Sequence, residues 1–185
     1  MGETARGYFG IGVERISKPM NFGSLMRTAH AFGASFVFTV DPAFPARAVH
    51  RSDTADTPNG LPVYSFADAD SLALPRGCTL VGIERLDQAT ALPSFRHPHR
   101  AAYVLGPERG SLSPALVERC EFVVRIPTKF CINLGLAGAL VMYDRLISLG
   151  RFAQRPLIPG GQAPPLPAHR FGAPVRRRGR RSAGS

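Results

Sequence analysis

Short apolar runs alternate with polar and helical segments along the first four fifths of the chain. The runs predict strands at residues 8–14, 35–41, 62–65, 78–84, 101–105 and 121–126. Leu25, Met26, Ala29 and Phe32 fall at helical spacing after the first run, and Gly33 ends that helix. Strand, helix and strand in this order are typical of a βαβ unit. The pattern therefore predicts an α/β domain with a mostly parallel sheet flanked by helices.

The sequence also predicts where the helices begin. The first helix is expected to begin near Asn21 or Ser24, which are good N-cap residues. A brief helix is predicted at 66–74, and Ser113 followed by Pro114 predicts another helix start. The last helix, before Gly150, has apolar or small residues on every side of its first half, which predicts a buried helix. Its small residues, Gly135, Ala137, Gly138 and Ala139, would let another backbone or a flat ligand come close.

Charge separates the chain into two parts. The formal net charge is +10, but all 13 acidic residues lie before Arg151, and eight of the 23 Lys and Arg lie from there onward. Six of the 17 prolines are in the same final segment. We therefore predict a folded domain at 1–153 and a disordered Pro/Arg-rich basic tail at 154–185. The tail either adds phosphate affinity or only keeps the chain soluble.

Several function classes are disfavoured. Cys78, Cys120 and Cys131 are odd in number and lack metal-ligand spacing, so we expect reduced thiols and no metal. The chain opens without an apolar secretory segment, which favours a cytoplasmic protein. The longest uncharged apolar-leaning run, 130–143, is too short to span a bilayer. The net charge of +10 points toward nucleic acid or another anionic surface as partner.

Three stretches could carry chemistry. They are Asn21-Phe-Gly-Ser-Leu-Met-Arg-Thr-Ala-His-Ala-Phe-Gly, Leu105-Gly-Pro-Glu-Arg-Gly-Ser-Leu, and Ile126-Pro-Thr-Lys-Phe-Cys-Ile-Asn-Leu. Each alone has an ordinary structural explanation. Asn21 could be an N-cap, Arg27 a salt-bridged helix residue, and the glycines around Glu108 a tight turn. Their joint occurrence in this order favours a functional role over these structural explanations.

Together these stretches resemble the three motifs of the SpoU/TrmH family of RNA ribose 2′-O-methyltransferases, in the SPOUT superfamily. The resemblance covers roughly residues 8–152 and is closest in layout to the compact TrmL-like tRNA enzymes. It implies a deep trefoil knot in the C-terminal part of the domain, and S-adenosyl-L-methionine as cofactor. The cofactor-binding residues that it implies are Ile83, Leu105, Gly106, Gly110, Ile126, Pro127, Cys131 and Leu134.

The resemblance also implies catalytic and RNA-binding roles. Arg27 would bind the phosphate next to the target ribose and stabilise charge on the 2′-oxygen, since guanidinium is a poor base. The proton would be lost to solvent or to a transient neutral guanidine. Asn21, Glu108 and Asn133 would complete the catalytic set, with Glu108 more suited to fixing loop amides or a partner subunit's Arg than to accepting a proton. The family usually has Ser where this chain has Cys131, a weaker hydrogen-bond donor. Expected RNA contacts are Arg27, Arg109, Arg145, Arg176, Arg177 and Arg178.

The predicted function is methylation of an RNA ribose 2′-hydroxyl by a homodimer. tRNA is the favoured substrate, with the anticodon wobble nucleotide as a candidate. rRNA is an alternative, as is an inactive RNA-binding homologue that lost turnover through Cys131. Tyr143 fits either core packing or the dimer and RNA region. His97 and His99 lie beside arginines in a basic loop that could touch phosphate.

Overall fold

The computed structural model describes residues 7–44 and 60–165. Its helices are α1 (Pro19–Ala31), α2 (Pro114–Arg119) and α3 (Leu134–Leu149), with a short 3-10 turn at Leu92–Ser94. Its strands are β1 (Tyr8–Glu14), β2 (Phe36–Val40), β3 (Val63–Phe66), β4 (Thr79–Ile83), β5 (Thr90–Ala91), β6 (Arg100–Leu105) and β7 (Phe122–Arg125). All pair in parallel, in the order β3-β2-β1-β6-β4-β7-β5. The predicted α/β class with a parallel sheet is confirmed; the knot stays a prediction.

The local predictions have mixed outcomes. The six predicted strands are present with small shifts at their ends, while the two-residue β5 lies inside a stretch expected to be loop. The helix predicted at 66–74 is wrong. Asp68 accepts a hydrogen bond from the Ser71 amide at 2.7 Å, and the Asp68 amide donates to the Ser71 hydroxyl at 3.1 Å. Such local side-chain bonds favour a turn over a helix, because they take the amide groups that a helix would use.

Two helix starts differ in how they are capped. Ser113 caps α2 as predicted, accepting from the Leu116 amide at 3.2 Å. The predicted N-cap role of Asn21 is wrong, because α1 begins at Pro19, with Lys18 at the cap position and no side-chain cap bond. Asn21 therefore lies in the first turn of the helix, and its amide is available to another part of the chain.

Helix α3 is buried on one face only. Its inner residues are Leu134, Gly135, Gly138, Val141, Met142 and Arg145. The expected close approach occurs at Gly138, where an added Cβ would lie 2.3 Å from Leu25 Cδ1 of α1. The opposite face exposes Leu136, Leu140, Tyr143 and Ile147. The prediction of a helix buried all round is therefore wrong, as is core packing for Tyr143.

The core lies on both faces of the sheet. One cluster packs α1 and α3 against β1, β4 and β6 and contains Phe22, Leu25 and Tyr103. The other lies beneath α2 and contains Phe38, Val104 and Leu116. The chain separates into compact units at Met1–Arg151 and Phe152–Ser185, and residues 152–165 contain no helix or strand. In the two described ranges, no helix is long and apolar enough to cross a membrane. The tail arginines Arg176, Arg177 and Arg178 lie outside the described residues.

Candidate active site

The carboxyl ends of the neighbouring strands β6, β4 and β7 open onto one cleft of about 180 Å³, closed on another side by the start of α3. Parallel strands place their carboxyl ends at one edge of a sheet, where α/β proteins bind ligands. The cleft gathers most of the residues predicted to hold the cofactor: Ile83, Leu105, Gly106, Gly110, Ile126, Cys131 and Leu134. Pro127 is exposed and is not among the lining residues.

The cleft combines apolar walls with a stretch of bare main chain. Ile83, Leu105 and Leu134 are nearly buried and present side-chain carbons to it. An added Cβ at Gly106 would lie 3.2 Å from both Glu84 Oε2 and the Leu112 amide nitrogen, closer than most Cβ contacts. The glycine therefore leaves space at the point where β6 meets the cleft. This combination suits a flat apolar ring that is recognised by backbone groups.

Glu108 joins the first and second motifs. Its Oε1 accepts a hydrogen bond from Asn21 Nδ2 at 3.0 Å, and its Oε2 accepts from the Ser17 amide at 3.3 Å and the Ser17 hydroxyl at 3.1 Å. Partial burial works to raise the pKa of Glu108, but the hydrogen bonds from Asn21 and Ser17 outweigh it and hold the pKa below its usual value. Glu108 is thus an ionised carboxylate that fixes a loop.

The other end of the same loop is held by residues that the sequence analysis did not select. Glu84 Oε2 accepts from the Leu112 amide at 2.8 Å, and Glu14 Oε2 accepts from the Ser113 amide at 2.7 Å. Glu14 is 3% exposed although it is charged. Glu14 is the last residue of the buried apolar strand β1, and Glu84 directly follows the buried apolar strand β4. An acid at the end of such a strand is the sequence signal that could have identified both. They fix the 106–113 loop against the sheet edge.

The third motif forms the start of α3. Asn133 Oδ1 caps the helix by accepting from the Gly135 amide at 2.9 Å, which leaves its Nδ2 group as the part able to contact a substrate. Cys131 is an exposed free thiol that lines the cleft. The substitution of Cys for the usual Ser therefore lies at the ligand-facing surface.

The predicted RNA-binding arginines are in different environments. Arg27 is exposed on α1 and is absent from the cleft lining. Arg109 is exposed and lines a second cleft, which shares Pro107 and Glu108 with the first. Arg109 therefore adjoins the candidate site directly, whereas Arg27 projects from a neighbouring helix.

Arg145 is 3% exposed, which contradicts its predicted RNA contact. Its guanidinium lies 5.2 Å from the Phe9 ring centroid and near the amino ends of β1 and β6. It donates hydrogen bonds to four acceptors: Pro98 O at 2.5 Å, His99 O at 2.9 Å, Tyr8 O at 3.3 Å and Tyr103 Oη at 3.3 Å. Arg145 is consequently a structural anchor of α3, at the opposite end of the strands from the cleft.

His97 is also buried, which contradicts its predicted phosphate contact. Its Nδ1 lies 2.6 Å from Tyr103 Oη, and its Nε2 lies 2.9 Å from Asp144 Oδ2. Burial lowers the pKa of His97, and the nearby Asp144 only partly opposes this effect. Burial also raises the pKa of Tyr103 to about 12. His97 therefore belongs to the same internal network as Arg145. Across the described ranges, no group of His, Cys, Asp and Glu could hold a metal ion.

Comparison with known proteins relates the sequence of this chain to a family of RNA methylases. A sequence model of the SpoU rRNA Methylase family matches residues 9–143. The tRNA (guanosine(18)-2'-O)-methyltransferase TARBP1 of Mus musculus is 27% identical over 139 residues, which cover 70% of this chain but 9% of that protein. The chain thus corresponds to a small part of this relative.

Solved structures share the fold. A structure described as giving insights into the 2-OH methylation of C/U34 on tRNA matches with a TM-score of 0.65 at 20% identity, covering 77% of this chain and 97% of that chain. The SpoU methyltransferase AviRb from Streptomyces viridochromogenes, in complex with the cofactor AdoMet, matches with a TM-score of 0.63 at 20% identity, covering 80% of this chain and 61% of that chain. At these identities the likeness establishes a common fold.

Proposed function

The chain belongs to the SpoU rRNA methylase family, and we propose that it transfers a methyl group from S-adenosyl-L-methionine to a ribose 2′-hydroxyl of RNA. The observation that carries this proposal is the pairing of Asn21 with Glu108 at the rim of the cleft formed by β4, β6, β7 and α3. This pairing brings the first and second motifs to the place where the third motif begins.

The cleft residues fit the cofactor. Ile83, Leu105 and Leu134 would enclose an adenine ring, and the space kept open at Gly106 would let main-chain groups reach its polar edge. When bound, the cofactor supplies a methyl group activated by a sulfonium. AviRb, which shares the fold, was solved with AdoMet. The side-chain groups of this cleft therefore bind and orient rather than react.

Catalysis then depends on alignment and charge. The 2′-oxygen must lie in line with the methyl carbon, so that the new O–C bond forms as the C–S bond breaks. The hydroxyl proton passes to solvent. Glu108 is a poor base, since its oxygens already accept bonds from Ser17 and Asn21. Arg27 would hold the adjacent phosphate and stabilise the developing negative charge, while Asn21 and Asn133 orient the ribose.

A homodimer would complete this site. The exposed face of α3 carries Leu136, Leu140, Tyr143 and Ile147, which are 62%, 43%, 49% and 37% exposed and follow one another at helical spacing. Leu134, two residues before this face begins, lines the cleft. We infer that a second copy of the chain covers this face, because an apolar stripe that adjoins a half-open cleft suits a symmetric partner. Such a partner could supply an exposed group such as Arg27.

tRNA is the substrate that we propose. Both TARBP1 and the protein of the C/U34 structure act on tRNA according to their descriptions, and this chain covers 97% of the latter. The wobble nucleotide is accordingly the first position to examine. rRNA is the second candidate, favoured by the description of the family model that matches. An inactive RNA-binding homologue is the third, because Cys131 replaces a hydroxyl at the cleft surface.

The experiment supplies purified protein with labelled S-adenosyl-L-methionine and either total tRNA or rRNA, then locates the methyl group by mass spectrometry of the digested nucleosides. We expect a 2′-O-methylated nucleoside from tRNA. Arg27→Ala should abolish most transfer, whereas Arg27→Lys should keep part of it if charge alone suffices. Methylation of a base, or full activity in Arg27→Ala, would refute the mechanism. Cofactor binding without transfer to either RNA would favour the inactive homologue.

A further inference from the structure

A second cleft lies across Glu108 from the candidate active site. It has a volume of about 390 Å³ and is lined by Arg15, Ser17, Lys18, Pro107, Glu108 and Arg109. Pro107 and Glu108 line both clefts, so a two-residue segment separates them. A ligand here would be an immediate neighbour of the acceptor ribose.

The charges of this cleft favour an anion. Three of the lining side chains, Arg15, Lys18 and Arg109, are cationic, and Glu108 is the one lining carboxylate. Arg15 also lies 3.8 Å from the carboxylate of Glu14 behind the cleft, so Lys18 and Arg109 provide the charge that Glu108 and Glu14 leave over. That carboxylate is directed toward Ser17 and Asn21, whose hydrogen bonds occupy both of its oxygens. Within residues 7–44 and 60–165, the side chains of Lys18 and Arg109 form no hydrogen bond or ion pair. Cations that line one cleft repel one another, and an anion bound in that cleft would relieve the repulsion.

The backbone around the cleft adds to this preference. Helix α1 starts at its rim with Lys18 at the cap position, no side-chain cap and no acidic residue in the first turn. The helix itself therefore supplies no negative side chain to the positive end of its dipole, and the nearby carboxylate is that of Glu108, which accepts from the Ser17 amide and from Asn21. Arg15 adopts a φ of 50°, which residues other than glycine rarely occupy. Its amide donates to Val40 O at 2.8 Å and its guanidinium to Ser111 O at 2.6 Å, which fixes the side chain at the cleft.

We propose that the cleft of Arg15, Lys18 and Arg109 binds a phosphodiester group of the substrate RNA and thereby positions the target ribose. This proposal rests on the proposed function and adds a binding site to it. The Arg15 side chain is already held in place before RNA binds, because its guanidinium donates a hydrogen bond to Ser111 O. Lys18 and Arg109 would supply the further contacts to the phosphate. A phosphate held across Glu108 from the methyl-donor cleft leaves the attached ribose few orientations, which aids alignment.

The test compares Lys18→Ala/Arg109→Ala with the wild type in binding total tRNA over a series of KCl concentrations. Arg76→Ala is the matched control, because Arg76 is an exposed cation in the turn before β4, at the other end of that strand from the cleft. We expect the double variant to lose roughly tenfold in affinity and the slope of log affinity against log salt to fall by about 1. Arg76→Ala should change both the tRNA affinity and the salt slope by less than the double variant does.

A cofactor titration separates two anion sources, because the carboxylate of S-adenosyl-L-methionine is the other candidate. The affinity for S-adenosyl-L-methionine should be the same in the double variant and the wild type. A lower cofactor affinity in the double variant would overturn the proposal. The proposal would also be overturned if the double variant bound tRNA with the same affinity and the same salt slope as the wild type. Matching thermal unfolding curves establish that the variant is folded. If the wild type methylates no RNA, the proposed function fails, while the salt slope still tests the cleft on its own.

Discussion

The contact between Gly138 and Leu25 allows a sharp test of how α3 packs against α1. In Gly138→Ala the new methyl carbon would lie 2.3 Å from Leu25 Cδ1 and 3.5 Å from Ile11 Cδ1. Carbon atoms normally approach to about 3.5–4.0 Å, so the first contact requires a shift of more than one ångström. Leu25 is fully buried and cannot swing into solvent. Overpacking of this kind costs about 3 kcal/mol.

Helix propensity acts in the opposite direction. Alanine is better than glycine inside a helix by about 1 kcal/mol, so the net destabilisation should be roughly 2 kcal/mol. The midpoint of thermal unfolding should fall by about 4–8 °C. Urea unfolding followed by circular dichroism would measure the free energy directly.

A double-mutant cycle isolates the packing effect. Leu25→Ala alone should cost about 2–5 kcal/mol through the cavity it leaves. In the double variant the methyl group added at position 138 fills part of that cavity, so the combined loss should be smaller than the sum by roughly 2 kcal/mol. Strict additivity, or a Gly138→Ala protein as stable as the wild type, would refute this packing of the two helices.

Four other changes test separate parts of the structure. Glu108→Gln should lower methyl transfer by roughly tenfold by loosening the link to Asn21. Because the folded-state pKa of Glu108 is lowered, the stability that the carboxylate contributes is present at neutral pH and is lost as the pH falls through that pKa. The unfolding curves of the variant and the wild type should therefore converge in acid. Arg145→Met should cost about 3 kcal/mol in urea unfolding, since it removes four hydrogen bonds, including those to Pro98 O and the buried Tyr103 hydroxyl. It should leave the tRNA affinity of the folded protein unchanged, and a selective loss of affinity would restore an RNA role. Leu140→Glu should convert a dimer to a monomer in light scattering and reduce transfer, whereas an unchanged mass would exclude this face as the interface. Truncation after Arg155 should reduce the salt slope of tRNA binding, and an unchanged slope would leave the tail a solubilising role only.

The elements most open to prediction were those with strong local patterns. β1, β2 and β6 are continuous apolar runs, and their burial on both faces of a parallel sheet follows from that composition. The Ser113 cap is equally local. The missed β5 has two residues and exists only because β7 provides a partner for it. The wrong helix at 66–74 has helical spacing, but the Asp68 and Ser71 side chains stabilise a turn there.

Interactions within the site depended on chain path and were less predictable. Asn21 and Glu108 are 87 residues apart, and Glu14 and Ser113 are 99 apart. The resemblance of motifs placed the first pair near one cleft, but it contained no information on Glu14 or Glu84. Arg145 and His97 were misassigned for the opposite reason. Cationic side chains in a basic context suggest phosphate contacts, yet these two satisfy buried backbone and side-chain groups.

The two faces of α3 connect these findings. A sequence with apolar residues on every side predicts a buried helix, and the structure exposes four of these residues, Leu136, Leu140, Tyr143 and Ile147. The inner face is held by Gly138 against α1 and by Arg145 at the amino ends of β1 and β6, so its position relative to the cleft is fixed at two points. An apolar outer face on a helix fixed in this way is poorly explained by a monomer. If a second copy of the chain covers this outer face, the prediction of a helix buried on every side is correct for the dimer. The helix that begins at the cofactor cleft would then also set the position of the partner subunit.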